Sequence, residues 1–154
     1  RDRHKSARLI RETRRSDDPA SRNPGVTMFN YDHFEVGKNY GSDSFAVDRD
    51  RIDKWLAVYP DDDNGDLMPP GMTAMIQIQC YMACITPRPK GNVHGSQVFE
   101  LRRMPKVGET LTTDVECTKK EIRKGRKWVE TTYTTRSGEG DVVFTGVMTT
   151  LVAA

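Results

Sequence analysis

The residues in this chain best suited to proton transfer form a short acidic run. Between positions 61 and 66 the sequence reads Asp-Asp-Asp-Asn-Gly-Asp, which places four carboxylates within six residues. If this loop is enclosed, mutual repulsion raises the pKa of at least one carboxyl group and suits it to acid–base catalysis. If it is open to water, it is an ordinary solvated loop, and the sequence favours this second interpretation.

The other potentially reactive side chains are few. The chain has three histidines, His4, His33 and His94, and none lies in the acidic loop. Its three cysteines, at positions 80, 84 and 117, are an odd number without the spacing of a disulfide framework or a zinc site. We therefore predict free, buried thiols and no metal site.

Charge divides the chain into two parts. The overall charge is +2, but residues 1–22 carry eight basic and four acidic side chains, so the basic character belongs to the N-terminal segment. We predict a basic arm over 1–27 and a single domain over 28–154. The arm lacks aromatic residues for base stacking, so nucleic acid is not the expected partner. No apolar run is long enough to cross a membrane, and a cytoplasmic location is expected.

The elements that must position these groups follow from periodicity. Asp48 has the features of a helix N-cap before a short amphipathic helix that Pro60 ends. The apolar run 72–85 predicts a buried helix. Strands are predicted over 41–47, 97–104, 110–121, 128–135 and 142–152. One apolar helix wrapped by a curved antiparallel sheet is the economical packing, which gives an α+β hotdog fold.

Four segments in this order resemble the MaoC-type acyl dehydratases, over about four fifths of the chain. They are Phe-Glu-Val-Gly at 34–37, the strand end and short helix at 47–55, Pro-Pro-Gly-Met-Thr-Ala-Met at 69–75, and 94–111, which starts His-Gly-Ser-Gln and ends Pro-Lys-Val-Gly-Glu-Thr-Leu. The Pro-Pro and His-Gly-x-Gln details are similar to the amino-terminal half of two-domain hydratases and to the non-catalytic subunit of two-chain dehydratases.

The resemblance implies a chemistry and a set of site residues. Family members hydrate an enoyl thioester, or reverse that reaction, with the aspartate and histidine of a D-x-N-P-x-H motif. The corresponding stretch here, 59–68, has acids and Asn64 but no histidine. Asp61, Asp63 and His94 are the candidate catalytic residues. The amides of Gly71 and Met72, at the start of the central helix, are the candidates for binding the thioester carbonyl.

The resemblance also implies the partners. The substrate is an acyl thioester of coenzyme A or of acyl carrier protein, and no separate cofactor is expected. A dimer is expected, either a homodimer or a heterodimer with a catalytic MaoC-like chain. Six cations in one hairpin either contact phosphates or are simply solvated: Lys119, Lys120, Arg123, Lys124, Arg126 and Lys127.

Four functions remain open at this point. The leading one is a hydratase subunit that binds the thioester without a complete catalytic pair. The alternatives are a stand-alone hydratase that uses the acidic loop differently, a hotdog thioesterase, and a non-enzymatic binding or scaffold protein. A thioesterase would need a carboxylate on or near the central helix, and the run 72–85 has none.

Overall fold

The structure, a computed structural model, describes residues 28–153. This part of the chain contains five strands and two α-helices. In chain order the elements are β1 (Asn39–Ala46), α1 (Arg49–Leu56), α2 (Met72–Cys84), β2 (Val93–Leu101), β3 (Thr110–Arg123), β4 (Arg126–Arg136) and β5 (Val142–Leu151), with short 3-10 turns at Tyr31–His33 and Pro60–Asp62.

The five strands form one antiparallel sheet in the order β1-β3-β4-β5-β2. Breaks in register interrupt all four strand pairs, as in β1 between Asn39 and Ser42, and such bulges bend a sheet. Helix α2 packs on the inner face, chiefly against β1 and β3. The predicted α+β hotdog fold is confirmed.

The inner face is built by strict alternation along the central strands. In β4, Val129, Thr131, Tyr133 and Thr135 are buried and the residues between them are more exposed. The facing side of α2 contributes Met72, Thr73, Ile76, Gln77 and Cys80. This period-two pattern on the sheet and near-period-four pattern on the helix are what the sequence predicted for a half-buried sheet around a buried helix.

Both helices begin where the sequence indicates, but both end earlier than predicted, and α1 already ends at Leu56 rather than at Pro60. The Asp48 side chain accepts a hydrogen bond from the Arg51 amide at 2.8 Å, which confirms it as the N-cap of α1. Helix α2 begins directly after Pro69-Pro70-Gly71 and ends at Cys84, one residue short of the prediction.

Strand β2 lies further towards the N-terminus than predicted, at 93–101 instead of 97–104. Residues 93–96 lack strand-like alternation, but they pair with β5 across a bulge between His94 and Ser96. After Leu101 the chain leaves the sheet, because the amides of Arg102 and Arg103 both donate to the Val143 carbonyl. The pairing partner, rather than the local sequence, therefore sets this strand.

The loop before β3 is held by one arginine. Arg103 forms a bidentate pair with Glu109, at 2.9 Å for both bonds, and its Nε donates to Asp141 at 3.1 Å. These bonds lower the pKa of Glu109, first through the hydrogen bond to Arg103. Gly108, at φ +98°, donates its amide to the Val47 carbonyl and so ties this loop to the end of β1.

All three cysteines are free, as predicted. Cys80 and Cys117 are buried and Cys84 is half-buried, so the prediction of burial holds fully for two of them. Burial raises the pKa of each thiol.

The predicted basic arm, 1–27, lies outside the described residues. Within 28–153, the helices are all too short or too polar to span a bilayer.

Candidate functional site

A carboxylate clamps the start of the central helix. One oxygen of Asp62, Oδ2, accepts hydrogen bonds from the Trp55 indole N–H at 2.7 Å and from the Gly71 amide at 3.0 Å. Trp55 lies on α1, Asp62 ends the 3-10 turn and Gly71 precedes α2, so three consecutive segments meet at this oxygen. A negative charge at a helix N-terminus is stabilised by the unpaired amides and the helix dipole.

Position 71 requires a glycine because the surrounding atoms leave no room for a side chain. Its φ of −62° is open to any residue. However, a β-carbon at this position would lie 2.7 Å from both Asp62 Oδ2 and Trp55 Cζ2. The glycine at this position therefore serves the tight packing of the helix start against Trp55 and Asp62.

The two amides predicted to bind a thioester carbonyl already have acceptors in the chain. Gly71 donates to Asp62, and the Met72 amide donates to the Pro69 carbonyl at 3.1 Å. Carbonyl binding by Gly71 and Met72 stays a prediction. It requires the Asp62 carboxylate to move away from the helix start.

An apolar depression surrounds this clamp. A cavity of about 480 Å³ is lined by Trp55, Val58, Tyr59, Pro60, Asp61, Asp62 and Gly71. A neighbouring groove of about 390 Å³, towards Phe45 and Met75, shares the first three of these residues. Tyr59 packs on Trp55 with ring centroids 4.6 Å apart, and the side chains of Val58 and Tyr59 remain exposed. The clamp thus lies beside an exposed apolar surface.

The predicted catalytic residues are not brought together. Asp61 is exposed at the rim of the clamp cavity. Asp63 is also exposed, and its Oδ1 accepts the Gly65 amide at 3.0 Å, which closes a local turn. His94 is an exposed residue of β2 and lines a different cavity, together with Tyr81 and Met82 near the end of α2. Catalytic roles for these three residues stay predictions.

The acidic residue that lies at the start of α2 is Asp62, which is not among the predicted site residues. A usable signal was present: Asp62-Asp63-Asn64 matches the first three positions of D-x-N-P-x-H. In that register Gly65 stands at the proline position and Leu67 at the histidine position. Leu67 forms an isolated bridge with Lys106, so this position is used for chain pairing.

Neither histidine within residues 28–153 supplies the missing group. His94 belongs to the other cavity, as described above. The Nδ1 atom of His33 lies 2.8 Å from Asn30 Oδ1 and 3.2 Å from the Asn30 amide, inside the small cap of the first 3-10 turn. The aspartate at the helix start therefore has no imidazole beside it in the described part of the chain.

The basic hairpin between β3 and β4 is partly used for internal contacts. Lys120 donates to the Phe34 carbonyl at 2.9 Å and lies 4.3 Å from the centre of the Tyr31 ring. Arg123 lies 4.9 Å from the centre of the Trp128 ring. Phosphate binding by the hairpin stays a prediction.

Among residues 28–153, no three His, Cys, Asp or Glu side chains are grouped as metal ligands.

Comparisons with known proteins agree with this architecture. No family model and no curated protein sequence matches the chain. Among solved structures, the unliganded R-hydratase PhaJ1 from Pseudomonas aeruginosa superposes with a TM-score of 0.65 at 18% identity, over 81% of this chain and 86% of that one. The MaoC-like dehydratase from Rhodospirillum rubrum gives 0.69 at 15% identity, over 81% and 97%.

A third similar structure is named as a complex. It is the C-terminally truncated HadBC complex, a 3R-hydroxyacyl-ACP dehydratase from Mycobacterium tuberculosis, with a TM-score of 0.54 at 18% identity over 73% of this chain and 92% of that one. The chain therefore has the hotdog fold in the form adopted by MaoC-like dehydratases and R-hydratases.

Proposed function

We propose that this chain is the acyl-thioester-binding, non-catalytic subunit of an enoyl-thioester hydratase or dehydratase. In the reaction, the oxygen of water bonds to the β-carbon of the enoyl thioester and a proton bonds to the α-carbon, or both steps run in reverse. The similar structures support the general chemistry, since they are named as hydratases and dehydratases. The substrate is a thioester of coenzyme A or of acyl carrier protein.

The observation that carries the non-catalytic role is that Asp62 has no imidazole beside it in the described part of the chain. Its Oδ2 accepts two hydrogen bonds, from Trp55 and Gly71. Its other oxygen, Oδ1, could still accept from a water, but acid–base catalysis also needs a second group to return the proton. With Leu67 at the histidine position of the motif, this half of the site fixes a helix rather than moving protons.

A partner chain would then supply the complete aspartate–histidine pair. Strand β2 is an edge of the described sheet, with Val93, Val98 and Leu101 exposed along it. Unpaired edges with exposed apolar side chains favour strand pairing with a second sheet. We expect a heterodimer with a catalytic MaoC-like chain, or a homodimer. The three free thiols suit the reducing cytoplasm, where we place the complex.

The catalytic test is hydration of crotonyl-coenzyme A and longer enoyl thioesters, followed by loss of the conjugated double bond. The pure chain should turn over at least about a hundredfold more slowly than its mixture with a MaoC-like chain that carries an intact D-x-N-P-x-H. Asp62→Asn should leave the rate of the mixture within about twofold, because the partner moves the proton. Robust turnover by the pure chain, lost in Asp62→Asn, would instead establish a stand-alone hydratase.

The assembly test compares two exposed aliphatic residues. Val98 on the β2 edge is 65% exposed, and Ile122 near the end of β3 is 64% exposed, which makes them matched sites. In sedimentation velocity, Val98→Lys should shift the complex towards monomers, because a charged side chain disfavours edge pairing, and Ile122→Lys should not. A wild-type monomer that stays monomeric with the catalytic chain present would contradict the proposed pairing.

A further inference from the structure

The polar feature that the proposed function leaves unused is Gln77, in the middle of α2. Its side chain is fully buried, at 0% exposure, and neither its amide oxygen nor its amide nitrogen has a hydrogen-bond partner within residues 28–153. Gln79, two residues further along the same helix, shows the usual solution: its Nε2 donates to Asp43 Oδ2 at 2.6 Å. Buried amides are nearly always paired, so an unpaired one needs an explanation.

The sheet is shaped to hold this amide. Gly146 of β5 faces it, and a β-carbon there would lie 2.9 Å from Gln77 Cδ and 3.0 Å from the ring of Phe99. The absent side chain at 146 therefore provides the space that Gln77 occupies. A glycine in the interior of a strand is a weak strand former, and it commonly marks such a close approach.

A second unpaired amide lies one strand away. Gln97 of β2 has a buried Nε2 without a hydrogen-bond partner in the described part of the chain. Gln97 pairs with Met148, and Phe99 pairs with Gly146, so Gln97 is one inward-facing position from the Gly146 site in the ladder. Two amide groups from different elements are thus directed to the same region between α2, β5 and β2.

Met148, which pairs with Gln97 in the sheet, also borders a cavity. It is buried, yet it also lines the cavity of about 310 Å³ beside His94, together with Ile78, Tyr81 and Met82. These walls are largely apolar and suit an alkyl chain. Access from this cavity to the amides would require a change of the Met148 rotamer, and methionine is the most adaptable apolar side chain.

We propose that Gln77 and Gln97 form a subsite for a hydroxyl group carried on the acyl chain of the thioester, remote from the reacting carbons. This inference rests on the proposed function. A hydroxyl can donate to Gln77 Oε1 and accept from an amide N–H, so it satisfies groups of both kinds. A plain alkyl chain satisfies neither. The six residues from Gly71 to Gln77 place the subsite roughly 9 Å along the helix from the thioester end.

The test uses thioether analogues of acyl-coenzyme A, which bind but cannot react. A dodecyl thioether and its mid-chain hydroxylated counterparts are titrated calorimetrically into the wild-type chain and into Gln77→Met. The wild type should bind one hydroxylated analogue at least about tenfold more tightly than the alkyl analogue, because an amide site left unpaired penalises the ligand without a hydroxyl. Gln77→Met should lose this preference and keep affinity for the alkyl analogue.

Thermal unfolding without ligand provides an independent measurement. Gln77→Met removes two unpaired buried polar atoms and should raise Tm by roughly 2–8 °C. Gln79→Met, the matched control on the same helix, removes a hydrogen bond and should lower it. A fall in Tm for Gln77→Met would show that the amide is already satisfied in the free protein and would overturn the subsite.

The binding outcomes separate the two proposals. If the wild type binds the alkyl and hydroxylated analogues equally, the subsite is refuted and the proposed function stands. If it binds neither, with or without the catalytic chain, the proposed function fails and the subsite fails with it.

Discussion

Removal of the Asp62 carboxylate should destabilise the start of α2. Asp62→Ala leaves the Trp55 and Gly71 N–H groups without their shared acceptor, which lies at 2.7 and 3.0 Å. A hydrogen bond to a charged group contributes about 1.5–3 kcal/mol, and a charge at a helix N-terminus about 0.3–1 kcal/mol. Asp62 is half-buried, so values at the low end apply, and the free energy of unfolding should fall by roughly 2–4 kcal/mol.

Urea unfolding followed by circular dichroism measures this change, with the slope m checked for constancy. Asp61→Ala is the matched control, because Asp61 is the exposed preceding residue of the same 3-10 turn. It should stay within about 0.5 kcal/mol of the wild type. Near-ultraviolet circular dichroism should also change in Asp62→Ala, through Trp55. Equal stability of the two variants would refute the clamp.

Two further predictions concern titrating groups. The pKa of Glu109 is lowered by its bond to Arg103, so its contribution is present above the unfolded value of about 4.3 and is lost as pH falls below that. Glu109→Gln should therefore be about 1 kcal/mol less stable than the wild type at neutral pH, and urea titrations at successively lower pH should show this difference shrinking below about 4.3; a pH-independent difference would contradict this. Burial raises the pKa of the thiols, so Ellman's reagent at pH 8 should label half-buried Cys84 first and Cys80 only at the rate of unfolding, and faster labelling of Cys80 would contradict its burial.

Most elements of the fold could be predicted from short local sequence patterns. The range of α2 follows from one long apolar run that prolines bound on both sides, and the start of α1 follows from Asp48. The β3–β4 turn follows from Lys124-Gly125, both with positive φ in the structure. Each of these features depends on a few neighbouring residues, and such features can be read from a sequence.

The residues of the candidate site could not be identified from the sequence, because contacts between distant residues determine their roles. Asp61, Asp62 and Asp63 are locally indistinguishable, and Gly71, nine residues beyond Asp62, together with Trp55 selects the middle one. Gln77 looks like a polar interruption of an apolar run, which usually marks a solvent-facing position. Its burial is decided by Gly146, on the last strand of the sheet. The roles of Asp62 and Gln77 are therefore determined by tertiary packing.

The two edges of the sheet differ, and this difference limits assembly. Both edge strands contain a register break, but in β1 the break also places Gly41 at a φ of +120°, which makes this edge the more irregular one. The β2 edge exposes apolar residues such as Val98. A sheet with two open edges can add copies without end, as fibres do. If this chain pairs through β2, as proposed, the apolar edge is covered in a single step, and we expect a closed pair rather than a fibre.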